Sequence, residues 1–89
     1  MARIDMPEAN EAMMTPGIAT ADTLFELGMR YCIGHGVPAD FVTAHKWFNL
    51  AAMKGSADAK QYRCEIAREM SASDIAEAQR QARSWLTLH

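Results

Sequence analysis

The chain has 89 residues, 49% hydrophobic and 22% charged, with 9 Lys+Arg against 11 Asp+Glu for a net charge of −2. That composition suits one small folded domain and excludes general disorder, and the slight acidic excess leaves no basic footprint for nucleic acid. No apolar run approaches the roughly 18 residues of a membrane span, and Met1 to Glu8 lack the apolar core of a signal peptide.

Strand signals are absent, and Gly, Pro and Ser divide the chain into helical blocks. Within residues 1–19, Asp5 and Glu8 have capping-box spacing and Pro7 suits a first turn, so the expectation is either a short helix up to Met14, ended by Thr15-Pro16-Gly17, or a disordered segment. The first firm helix is predicted over 21–33, capped by Thr20 or Asp22. Leu24, Leu27, Gly28 and Tyr31 form one stripe, with Phe25, Met29 and Cys32 beside it. Gly28 sits mid-helix, where it costs about 1 kcal/mol relative to Ala, so a close backbone approach is expected there. Gly34 reads as the left-handed residue that closes this helix, and Asp40 as the cap of the next.

The second helix has Phe41, Ala44, Trp47, Phe48, Ala51 and Ala52 as its apolar positions, with Lys54 and Gly55 as the stop. A third is predicted over 57–70, burying Ala59, Tyr62, Ile66 and Met70. Ser71 then caps a fourth, whose stripe is Ile75, Ala78, Ala82, Trp85 and Leu86. The fold class is all-α: four helices joined by short turns, in two stacked antiparallel pairs.

The residues Leu27, Gly28, Tyr31, Gly34, Gly36, Val37, Asp40, Ala44, Trp47, Ala51, Ala52 and Gly55 stand at the spacing of one repeat motif. In this the segment resembles the Sel-1-like repeats, a branch of the tetratricopeptide-like αα solenoids. A shift of 36 residues sets Arg63, Cys64 and Ala67 opposite Leu27, Gly28 and Tyr31, and the glycine loop is missing. The expected organisation is therefore an N-terminal segment (1–19), a repeat (20–56), and a degenerate second helix pair (57–89) acting as a C-terminal cap. Trp47 and Tyr31 are expected to fill the space between paired helices, the Trp47 ring N–H directed at a loop carbonyl.

Candidates for chemistry are few. Cys32, His35, His45 and Cys64 are the soft-metal candidates, without the paired motifs of a zinc site, and no nucleophile, metalloprotease or phosphate-loop motif occurs. No cofactor, no metal and no catalytic residue are expected, and free thiols are expected in a cytoplasmic chain. The resemblance implies a non-enzymatic scaffold or adaptor binding a protein or peptide partner on its helical surface. Nucleic acid and membrane are not expected partners. The motif residues are fold determinants; the candidate interface is Phe25, Met29 and Cys32, with Phe25 as an apolar residue left outside the core. Residues 1–19 could cover this face through Met13, Met14 and Ile18, or a second copy could, giving a homodimer. A self-associating structural protein and, more remotely, a metal-binding regulator are the alternatives. Residues 1–40 hold six acids and two bases and residues 41–89 five acids and seven bases, a polarity adding weakly to self-association.

Overall fold

The computed structural model describes residues 15–88, so the short helix expected within residues 1–14 lies outside the described residues. Among the described residues there are four α-helices and no strand: α1 (Ala21–Ile33), α2 (Phe41–Met53), α3 (Ala57–Ala67) and α4 (Ala72–Leu88). Each start is set by a short polar side chain. Thr20 and Thr23 exchange side-chain and backbone hydrogen bonds at 3.0 and 3.1 Å, a capping box closed by threonine where glutamate is usual. Asp40 accepts from the Val42 and Thr43 N–H groups, and Ser56 and Ser71 accept from Ala59 and Asp74.

The α1–α2 loop is held by backbone geometry. Gly34 adopts φ +85° and its N–H closes on the Arg30 carbonyl at 2.8 Å, while the Asp40 N–H reaches back to the Tyr31 carbonyl at 2.9 Å. An added Cβ at Gly34 would lie 3.3 Å from the Ala39 Cβ and hold a left-handed conformation that costs about 1–2 kcal/mol for a residue with a side chain. Gly34→Ala is accordingly expected to destabilise by about that amount, whereas Ala39→Val at an exposed site changes stability by less than about 0.5 kcal/mol. Equal shifts in urea midpoint for the two variants would show that backbone conformation does not hold the loop.

The third helix ends earlier than its sequence suggests. After Ala67 the bonding tightens from i−4 to i−3, with Arg68, Glu69 and Met70 donating to Glu65, Ile66 and Ala67 at 2.9–3.3 Å. No glycine stands there to supply a left-handed cap, so a tight final turn takes up the free carbonyls.

α2 is the centre of the molecule: α1, α3 and α4 all pack on it, α1 most extensively. The α1–α2 hairpin is as expected from sequence. The second pair is not closed in the same way, because α3 and α4 barely meet and α4 lies along α2 instead. The residue standing in place of Gly28 shows why. Cys64 is exposed on α3, whereas Gly28 lies against the Phe48 ring of α2.

Candidate functional site

Three faces of α2 are engaged, and they account for the repeat motif. Toward α1, the Phe48 ring lies where a side chain on Gly28 would be: an added Cβ would stand 2.4 Å from Phe48 Cδ1. Leu24, Leu27, Ala44 and Ala51 are buried around this crossing. Toward α3, Phe48 stacks on Tyr62 with ring centroids 5.7 Å apart, and Phe25 closes the cluster at 5.8 Å from Phe48 and 5.7 Å from Tyr62. Toward α4, Trp47 meets Trp85 edge to face at 5.4 Å and 81°. Lys46 places its ammonium 4.3 Å from the Trp47 ring centre.

Two expectations for single side chains are corrected here. Phe25 does not stand outside the core, because α3 brings Tyr62 against it and leaves it only half-exposed. Trp47 is fully buried, but among the described residues its ring nitrogen has no hydrogen-bond partner, loop carbonyls included. Edge-to-face packing on Trp85 fixes the ring instead. Met29 and Cys32 are half-buried beside Phe25, and Tyr31 packs against the same cluster. Of the other motif positions, Gly36 repeats the positive φ of Gly34 at +81° and Gly55 closes α2 at +106°. Val37 and Ala52 are half-buried.

A polar group sits in the α2–α3 seam. His45 is 3% exposed, and Asn49, one turn further along α2, accepts a 2.6 Å hydrogen bond from the Arg63 guanidinium of α3. Burial, and then the Arg63 charge, push the His45 imidazole below its ordinary value of 6.5, against a smaller opposing effect of its own backbone. The unfolded chain therefore binds a proton near pH 6 that the folded chain resists. Stability is full above about pH 6.5 and falls as pH drops below it. The melting temperature of the parent is expected to decline between about pH 6.5 and 5.5 more steeply than that of His45→Gln. Parallel curves for the two proteins would remove His45 as the source.

The soft-metal candidates are not brought together. His35 is exposed in the loop, His45 is buried between α2 and α3, and Cys64 is exposed on α3. Both cysteines are free, and burial, with the nearby Glu65 charge, pushes the Cys32 thiol up. No group of three His, Cys, Asp or Glu side chains among the described residues could hold a metal ion. No helix among the described residues is long and apolar enough to cross a membrane.

Among the described residues the surface holds a cleft and a groove. An open cleft of about 250 Å³ runs along the outer side of α1 and its loop, lined by Glu26, Met29, Arg30, Ile33 and His35. Ile33 is 66% exposed at its edge. A smaller groove of about 140 Å³ lies where the start of α1 and the ends of α2 and α4 converge, lined by Leu24, Leu50, Met53, Trp85 and Leu86. Lys54 beside it donates to the Pro16 and Ala19 carbonyls and so pins residues 15–19 against the end of α2. Sequence reading missed this link, since the lysine's place in the last helical turn already gave it a reason to be there.

A glycine-closed helical hairpin with its second helix buried on three sides is the unit of an αα-repeat protein. The family model of the Sel1 repeat matches residues 21–56, the span of α1, its loop and α2 up to the α3 cap. The chain thus carries a Sel-1-like repeat. Sel1 repeats are generally protein–protein interaction modules and typically non-enzymatic. No curated protein and no solved structure matches the chain.

Proposed function

We propose that the chain is a small non-enzymatic adaptor that docks a protein or peptide partner on the outer face of α1. The observation that carries this reading is the cleft beside Ile33, a large apolar side chain 66% exposed between charged and polar neighbours. Most of the repeat motif is spent on internal packing and turns, so recognition falls to residues outside the motif. Met29, from the candidate interface, lines the cleft together with Arg30 and His35. An adaptable thioether beside an exposed isoleucine suits an apolar anchor on the partner. Residues 57–89 serve in this reading as the cap of the repeat, with Lys60 and Glu65 exposed on α3 and Arg68 and Glu69 exposed in the turn after it.

The test is capture from a lysate of the source cells with the intact chain and with Ile33→Asp. Circular dichroism and melting temperature first establish that the variant is folded. A protein retained by the parent and lost by the variant supports the reading. Identical captured sets for the two overturn the assignment to α1. Self-association is a second reading, favoured by Met53 and Leu86 at the smaller groove and by Ile18 on the loop that Lys54 pins, exposed by 62%, 37% and 69%. Light scattering on the parent and on Met53→Glu separates it, since a dimer through this patch should dissociate in the variant.

A further inference from the structure

Exposed apolar surface gathers at one end of the molecule. Among the described residues the large hydrophobic side chains left exposed are Ile18, Ile33, Met53 and Leu86, and all but Ile33 belong to the end where α1 starts and α2 and α4 finish. Met53 and Leu86 line the 140 Å³ groove there with Leu24, Leu50 and Trp85, and Lys54 is its one charged side chain. A hollow so lined offers little to orient a polar ligand and suits an apolar side chain.

The chain's own first residues lead to this groove. Lys54 donates to the Pro16 and Ala19 carbonyls, and Ala19 is 4% exposed within the core. Thr15 is held in the same turn, its carbonyl accepting from the Ile18 and Ala19 N–H groups at 3.0 and 2.8 Å. Met13 and Met14 come directly before it, in a stretch that also holds Ile4 and Met6. One residue spans at most about 3.3–3.6 Å, so the methionine pair starts within a residue's length of a turn bonded to the groove's own lysine. The unbranched thioether fills irregular gaps. Beside Phe25, the other place where these methionines are expected, Tyr62 of α3 already packs. A tethered segment also meets a groove at an effective concentration on the order of millimolar, which favours it over a second copy of the chain.

We propose that this groove is an intramolecular docking site for residues 1–14, with Met13 and Met14 as the side chains it receives and Lys54 as the clasp that delivers them. Seated there, the pair covers Met53 and Leu86 and ties the start of the chain to the ends of α2 and α4. Docking in this way closes the groove to a second copy and leaves the α1 cleft to a partner.

Methyl NMR on the full chain, labelled at its Met and Leu methyl groups, tests this. Nuclear Overhauser contacts are expected from the Met13 or Met14 methyl to those of Leu24, Leu50 or Leu86, and they should survive dilution by about tenfold. In Lys54→Ala, once circular dichroism shows it folded, the contacts should weaken about twofold or more, because two charge-assisted hydrogen bonds to the turn are lost. Replacing both methionines by glutamate should shift the Leu86 methyl resonances and leave those of Leu27 in place. No contact from either methionine to the groove in the parent overturns the docking site. Contacts found only between differently labelled chains, or lost on dilution, assign the groove to a second copy and overturn it as well. Contacts of full strength in Lys54→Ala overturn the clasp.

Discussion

Truncating Trp47 to alanine is expected to remove about 3–5 kcal/mol of stability, close to all that a domain of this size possesses. The ring is 1% exposed, covers the middle of α2 and supports Trp85 edge to face. Its loss leaves a cavity at the helix that every other helix packs against, so neighbours cannot collapse into it without moving α2. Thermal melting followed by far-ultraviolet circular dichroism should lose its cooperative step or shift down by tens of degrees, at about 4–8 °C per kcal/mol. Trp85→Ala is the informative contrast, because its ring lies on the outer side of the same contact. A Trp47→Ala protein melting within a few degrees of the parent would falsify the central place given to α2.

The second large effect is expected at Gly28. By helix propensity alone, Gly28→Ala should stabilise α1 by about 1 kcal/mol. The structure reverses the sign. The new methyl would stand 2.4 and 2.5 Å from two carbons of the Phe48 ring, and that ring is 0% exposed, stacked on Tyr62 and tilted against Phe25. It cannot retreat without disturbing the cluster, so the substitution is expected to cost about 1–3 kcal/mol net. Phe48→Leu should relieve that cost, giving a favourable coupling between the two sites in a double-mutant cycle. A more stable Gly28→Ala protein, or two substitutions whose effects simply add, would mean that the helices do not meet at this point.

The helix starts were legible because each depends on a polar residue within three positions of the backbone group it satisfies, as at Thr20, Asp40, Ser56 and Ser71. The α1–α2 loop was legible for a related reason: Gly34 and Gly36 announce positive φ, and few other residues tolerate it. Those local rules, with the spacing of Gly28 and Trp47, were enough to set out the helical hairpin that the Sel1 repeat model matches. Leu50 and His45 escaped the reading because a stripe assumes one buried face, whereas α2 has three. The same limit applied to the candidate site. Phe25 lies off the stripe of its own helix, and only Tyr62, 37 positions along the chain, brings it into the core. Ile33 instead carries the large exposed apolar surface on α1.

The sequence by itself determined the helices, their caps and the hairpin from Ala21 to Met53, since each rests on interactions within a few residues of the chain. Tertiary structure alone decided where α4 goes. Its Ala78, Ala82 and Trp85 stripe fits any apolar helix face, and the choice of α2 over α3 depends on Trp47 being turned toward it. An amphipathic pattern specifies that a face will be buried; only the shapes of the competing partners specify against what.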